Sequence, residues 1–222
     1  MTRVSNIIIL GTAGNCIDIL ETINDINKAS ERPKYRCVGF LDDNQGNWGS
    51  KIYGIEVLGP LSSAPQYSDA LFVNGIGSPF NFWKKEDIIS KTNIPIGKFE
   101  TIIHPSAIVS KTSIICLGTV IFPNVTVATE ALIGNHVIIL PNSVVNHDDI
   151  IGDYTCITSG VNISGGVVIG KSCYIGTGTS IKSDITIGRY SLIGMGSIVI
   201  RDVPENTVVV GNPARYLRRT MS

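Results

Sequence analysis

Aromatic residues make up only 7% of the 222 positions and charged residues only 16%, and the charges cancel, 18 Lys and Arg against 18 Asp and Glu. Without a basic excess the chain has no electrostatic footprint for a polyanion, so nucleic acid is not an expected partner. No apolar run reaches the roughly 18 residues that a membrane span requires. The apolar core of the N-terminal MTRVSNIIILG is too short for a secretory signal, so a cytoplasmic protein without a membrane partner is expected. No CxxC and no zinc-ligand spacing occurs among Cys16, Cys37, Cys116, Cys156 and Cys173. Their odd number favours reduced structural thiols over a disulfide framework.

What is present is a repeat. From Ile103 through Val109, Ile115 and Ile121 to Val199, every sixth residue is Ile or Val, seventeen positions without an exception. Two positions earlier stands a small or β-branched residue, with Asp149 the one misfit. Gly often follows the aliphatic residue, at Gly134, Gly152, Gly170, Gly176, Gly188 and Gly194, as suits a corner that needs unusual backbone angles. A period of six is neither helical nor that of an alternating strand. It fits a chain that turns a corner every six residues and stacks coil upon coil. Chain on either side of the repeat is expected to cover its two ends.

The first hundred residues read differently. Asn6 to Leu10 is an apolar strand ending at Gly11, with Gly14 beyond it. A helix is expected from about Ile17 to Ile26, with Ile17, Leu20, Ile23 and Ile26 on one face. Tyr35 to Leu41 is a second strand ending at Asp42 and Asp43, and a Gly-rich stretch follows it. Ala70 to Ile76 is a third strand closing at Gly77 and Ser78, and Phe82 to Ser90 a second helix. Strand, glycine turn, helix, strand and acid make a small Rossmann-like unit, in which ligands bind beyond the carboxyl ends of the strands. There Gly11 and Gly14 admit a phosphate to the backbone N–H groups, or only permit a tight turn. Asp42 and Asp43 accept from a ribose, or only solvate a loop.

Within the repeat, VVNHDDIIG places His147 at a turn with Asp148 directly after it. An imidazole is the natural proton acceptor near neutral pH, and an adjacent carboxylate fixes its tautomer; the bland alternative is a solvated histidine beside two solvated acids.

The repeat resembles the hexapeptide-repeat family, which implies a left-handed parallel β-helix with three hexapeptides per triangular coil. VVNHDDIIGDYTCI, the front motifs GTAGN, FLDD and GIGS, and the junction IIHPSA together resemble bacterial sugar acetyltransferases similar to sialic acid O-acetyltransferase and to nucleotide-linked amino-sugar N-acetyltransferases. At eighteen residues per coil, Gly165 stacks on His147, while His104, His136 and His147 fall in three separate columns. One chain therefore does not gather three imidazoles on a metal, and no metal is expected.

The resemblance implies His147 as general base and Asp148 as its partner. The N–H of Gly165 would meet the carbonyl of acetyl-CoA, the co-substrate. Cys156 stands where many relatives carry a second histidine at the acetyl donor, and Leu140 and Asn15 also depart from the family pattern. Gly176, Lys182 and Gly194 lie on the coils CoA would climb. Arg215, in GNPARYLRR, belongs to a signature that in relatives ends a helix beside acyl-CoA; solvated surface charge is its bland reading. Gly11, Gly14, Asn15, Asp42, Asp43, Gly77 and Ser78 would hold the nucleotide sugar. The division implied is a sugar-nucleotide domain over 1–100, an acyltransferase β-helix over 101–205 and a tail over 206–222, assembled as a homotrimer. The expected reaction is N-acetylation of a UDP-, dTDP- or GDP-linked amino-deoxy sugar used for surface glycans, with O-acetylation of a sialic-acid-like sugar as the alternative.

Overall fold

The computed structural model describes residues 4–220. Its front part comprises β1 (Ser5–Leu10), α1 (Gly14–Ala29), β2 (Tyr35–Leu41), β3 (Lys51–Ile52), β4 (Ile55–Gly59), β5 (Leu71–Asn74) and α2 (Lys85–Ser90). These strands form one sheet in the order β3-β4-β2-β1-β5, parallel except for β3. β1 is fully buried over Ile7–Leu10, which is why it reads as an unbroken apolar run. β3 and β4 lie inside the stretch expected to be a Gly-rich excursion. Tyr53 and Gly54, both at positive φ, close them into a two-residue hairpin.

α1 begins three residues before the expected start, and its apolar face differs. Ile19 is fully buried, whereas Ile17 is half-buried. A row spaced three apart drifts round a helix of 3.6 residues per turn. The row that packs is Cys16, Ile19, Leu20, Ile23 and Ile26, wider than one stripe because the helix is covered twice. Ile7, Ile9 and Phe40 of the sheet and Ile102, Val120, Phe122 and Ile138 of the repeat belong to the same core.

The repeat forms three parallel sheets of two-residue strands, a pattern that fits a left-handed β-helix. The first face stacks pairs such as Val120–Ile121, Ile138–Ile139 and Cys156–Ile157. The second stacks Thr126–Val127 and Val144–Val145, and the third Leu132–Ile133 and Ile150–Ile151. In each pair the second residue points inward, and these Ile and Val side chains make one continuous core from Ile121 to Val209.

Three details depart from the sequence reading. The residues at positive φ are not the glycines after each aliphatic position; they stand two places further on, as at Asn124, Glu130, His136, Asn142, Asp148 and Tyr154. The glycines between the third and first faces are required by close approach instead. A Cβ on Gly152 would lie 2.5 Å from the Lys171 nitrogen, and one on Gly170 would lie 2.6 Å from the Arg189 nitrogen. The front part does not cap an end: it covers the first face, over Val120, Ile138, Cys156 and Tyr174. Ile103, Val109 and Ile115 in the first coil consequently remain only half-buried. The stack also continues past Val199. Leu192 pairs with Val208 and Ile187 with Val203, a spacing of 16 residues, so a coil two residues short ends the sequence period but not the sheet. Thr207–Val210 extends the first face, and Arg215–Arg219 pairs antiparallel to it as a strand rather than a helix.

No helix among the described residues is long and apolar enough to cross a membrane. Ile157, fully buried mid-stack, should cost about 2–5 kcal/mol when changed to Ala. Denaturant unfolding measures this, and a loss under about 1 kcal/mol would show that the coils collapse around the deletion.

Candidate active site

The turn Asn146–Asp149 joins the second face to the third, with Asp148 at φ +62°. That backbone presents His147 and Asp148 side by side, both 64% exposed. His147 Nδ1 lies 2.8 Å from Asp148 Oδ2. The hydrogen bond that Nδ1–H donates to the carboxylate raises the imidazole pKa above its ordinary 6.5. With Nδ1–H donating to Asp148, Nε2 keeps its lone pair and is free to accept a proton.

The other edge of the ring rests against the next coil. A Cβ on Gly165 would fall 2.6 Å from Nε2 and 2.5 Å from Cε1, so only glycine leaves room for the imidazole. The Gly165 N–H has no acceptor among the described residues, and Gly166 N donates to the His147 carbonyl at 3.0 Å. A proton acceptor and an open N–H donor thus stand on adjacent coils.

A second concavity opens at the carboxyl ends of β1, β2 and β5. β1 lies between β2 and β5, so the loops leaving β1 and β5 diverge there, the position at which open parallel sheets bind ligands. The cavity measures 570 Å³, and all seven front residues singled out in the sequence line it: Gly11, Gly14, Asn15, Asp42, Asp43, Gly77 and Ser78. The N-terminus of α1 faces it, with no side chain capping the first turn. Gly11, at φ +96°, makes the turn out of β1. Asn15 Nδ2 donates to the Gly77 carbonyl at 3.3 Å, tying the two loops together. Ser78 donates through both N–H and hydroxyl to Asn81 Oδ1, at 2.9 Å each.

The two acids behave differently. Asp42 accepts from the Thr12 hydroxyl and from Asn44 N at 2.7 Å. Asp43 takes Lys91 Nζ at 2.9 Å and Leu61 N at 3.1 Å. Partial burial pushes the Asp43 pKa up, but these donors outweigh it and hold the carboxyl below its usual value. Thr12, Asn47, Asn81 and Lys91 were not singled out in the sequence. They belong to no local motif and reach the cavity only through the fold.

The residues expected at CoA are not gathered by one chain. Gly165 and Lys182 share the edge of His147, one coil apart in neighbouring columns. Gly176 and Gly194 lie on another edge, between the first and second faces. A Cβ on Gly176 would meet the Met195 nitrogen at 2.5 Å, so coil packing accounts for that glycine. Arg215 is exposed on the terminal strand. Cys156, expected beside the acetyl donor, is instead 3% exposed on the first face beneath the front part.

Cys156 lies next to an element the sequence did not reveal. Lys85, wholly buried, donates to the His136 carbonyl at 2.6 Å and lies 3.6 Å from Cys156 Sγ, joining α2 to the prism. Burial pushes its ammonium pKa down. His136 is packed between Phe99 and Tyr154, and burial lowers its pKa to about 4. His104 bonds Ser106 and Asp25. The three histidines are thus apart, and no group of three metal-ligating side chains lies together among the described residues.

Residues 166–201 match the bacterial transferase hexapeptide (six repeats) family. None of the curated proteins matches the chain by sequence. Among solved structures, the acetyltransferase domain of PglB from Neisseria gonorrhoeae in complex with acetyl coenzyme A is similar, with 21% identity, TM-score 0.82, and 97% of this chain and 100% of that one covered. PerB from Caulobacter crescentus in complex with CoA and GDP-perosamine gives 21%, 0.82, 97% and 99%. WeeI from Acinetobacter baumannii AYE gives 26%, 0.81, 96% and 100%. The likeness spans the front part and the prism together, in agreement with the resemblance read from the sequence.

Gly165→Ala should swing the imidazole off Asp148. NMR titration of His147 should then give a pKa nearer 6.5, and an unchanged titration would show that the ring tolerates the methyl group.

Proposed function

We propose that the protein is an acetyl-CoA-dependent N-acetyltransferase acting on the amino group of a nucleotide-linked amino-deoxy sugar. The observation that carries this reading is His147, with Nδ1 held by Asp148 and Nε2 open beside the unpaired N–H of Gly165. PglB and PerB, similar over the whole chain, are described with acetyl-CoA, or with CoA and GDP-perosamine.

In this reading residues 1–100 are a Rossmann-like domain that holds the UDP-, dTDP- or GDP-linked sugar in the front cavity. The diphosphate lies at Gly11, Gly14 and Asn15 by the α1 N-terminus, where the helix dipole and free N–H groups favour an anion. Asp42 and Asp43 face the nucleoside, and Gly77 and Ser78 the sugar side. Residues 101–205 form the acyltransferase prism, and the segment 206–222 brings Arg215 to the CoA phosphates, with Gly176, Lys182 and Gly194 along the course of CoA and Cys156, buried beneath the front part, away from it. The amine nitrogen attacks the thioester carbonyl while His147 Nε2 takes its proton. The Gly165 N–H donates to the oxygen that becomes negative. The N–C bond forms, the C–S bond breaks, and the electron pair leaves on the CoA sulfur.

The working form in this reading is a homotrimer, which two features support. His147 stands on the edge between the second and third faces, opposite the first face that carries the front part. Within one chain the cavity and the base therefore point to different sides, and a neighbouring chain supplies the missing half. The third face meanwhile exposes an unbroken apolar row, Ile114, Leu132, Ile150 and Val168, at 61%, 38%, 43% and 38%. Such a row is suited to packing against another prism.

Thiol release from acetyl-CoA, measured against UDP-, dTDP- and GDP-linked 3- and 4-amino sugars, tests the reaction. Turnover is expected with one of them, and His147→Ala should lower it about 10²–10⁴-fold. Silence across the panel with activity on sialic acids would move the reading to O-acetylation. Because the base works in its neutral form, kcat rises with pH through the His147 pKa. Asp148→Asn removes the carboxylate charge that raises this pKa, so the acid limb of the profile should move to lower pH as kcat falls. An acid limb that stays in place would assign it to another group.

A further inference from the structure

Asp149 replaces, in a single coil, a device the rest of the prism uses repeatedly. At the corresponding position of other turns stand the buried hydroxyls of Thr119, Ser143, Thr155 and Ser191. Each donates to a carbonyl further along the stack, to Gly134, Thr158, Gly170 and Pro204 respectively. Each also accepts from an N–H of the next coil, from Val137, Val161, Cys173 and Thr207. Asp149 is equally buried and keeps the second of these bonds, with Oδ1 accepting from Val167 N at 2.8 Å. Its other oxygen turns back into its own corner and accepts from Asn146 N at 2.8 Å. Asn146 in turn sends its amide to the Ile163 carbonyl at 2.8 Å.

The turn that carries His147 and Asp148 is therefore pinned at both ends, to Ile163 and to Val167, and these two residues flank Gly165. We propose that Asp149, with Asn146, is a positioning residue for the acetyl transfer, clamping the His147 turn to the coil that bears Gly165 so that base and oxyanion donor stay in register. The proposal rests on the acetyltransferase reading for its catalytic consequence, while the clamp itself is a property of the free protein.

A carboxylate is costly here. Burial pushes the Asp149 pKa up to about 6. The charged groups of this edge are His147 and Asp148 in the same turn, Lys111 and Glu130 in the turns below, and Lys182 and Asp184 in the turn above Gly165 and Gly166. The two nearest, His147 and Asp148, act on Asp149 in opposite directions, so burial is what raises its pKa. The folded protein holds the Asp149 proton to about pH 6, and the unfolded chain only to its ordinary 3.8. Stability from this group is therefore lost as pH rises between those values, and the penalty is complete above them. Hydroxyls elsewhere in the stack avoid it, so the position favours function over stability.

Asp149→Ser, which installs the residue other coils use, tests the proposal. The serine keeps the bond to Val167 and loses the one to Asn146. The expected result is a Tm at pH 8 no lower than wild type. kcat, measured with the nucleotide amino sugar that proves active in the panel, should fall on the order of a hundredfold, with KM for that sugar within about twofold. In ligand-free protein the His147 pKa followed by NMR should drop, because a neighbouring negative charge is gone. Unchanged kcat and unchanged His147 titration in a stably folded Asp149→Ser would overturn the proposal. Should that variant melt below wild type, Asn146→Ala, which removes the bond to Ile163, replaces it as the test: a matching loss of kcat supports the clamp and wild-type kcat overturns it. If the wild-type protein acetylates no acceptor, the functional reading fails, and the His147 titration of Asn146→Ala, which alters no charge, still decides the clamp: a shifted His147 pKa supports it and an unchanged one overturns it.

Discussion

Backbone hydrogen bonds between coils whose paired strand residues are eighteen apart, sealed by an interior of Ile and Val, hold each coil of the prism to the next. A side chain at a corner has its neighbours above and below fixed by this register. Gly165 therefore meets the His147 ring, and Val167 reaches the Asp149 carboxylate. A loop site depends on flexible chain to bring its groups together, whereas here the stacked backbone sets their separation.

Polar groups buried in such a stack must be paired, and the way they are paired distinguishes other coils from the coil that carries His147. Several corners, such as those of Thr119, Ser143, Thr155 and Ser191, use a hydroxyl that donates and accepts at once, which satisfies the backbone without introducing charge. The coil of His147 uses a carboxylate and an amide. It accepts a desolvation penalty at Asp149 and gains a second tie to the coil above. Asp148 lies outside this ladder, exposed, and acts on the imidazole directly by holding Nδ1. Two acids adjacent in sequence thus do different work because the backbone turns one inward and the other outward.

The front part is fixed to the prism by an interface as dry as a core. Ile138, Cys156 and Phe122 pack under α1, and the Lys85 ammonium bridges to the His136 carbonyl. The attachment determines which way the cavity faces relative to His147, and through that whether one chain or an assembly completes a site.

Much of this was legible in the sequence. The period-six series belongs to a core lined by one residue in six, and eighteen-residue counting placed Gly165 on His147 because a regular stack converts sequence separation into position. The seven cavity residues were visible because glycine turns and acids at strand ends are local signals. Other features were not local. The hairpin of β3 and β4 is too short to show a pattern, and the short last coil hid the continuation to Val209. The corner glycines were read as left-handed when close approach of the next coil requires them. Asp149 looked like a misfit, and Cys156 like a donor contact, until tertiary structure supplied their partners. The sequence by itself determined the prism, its register and the pairing of His147 with Asp148, since each follows from spacing along one chain. Only the tertiary structure decided which face the front part covers, that Lys85 is buried there, and that Asp149 is a clamp, because those depend on contacts between segments whose separation in sequence carries no period.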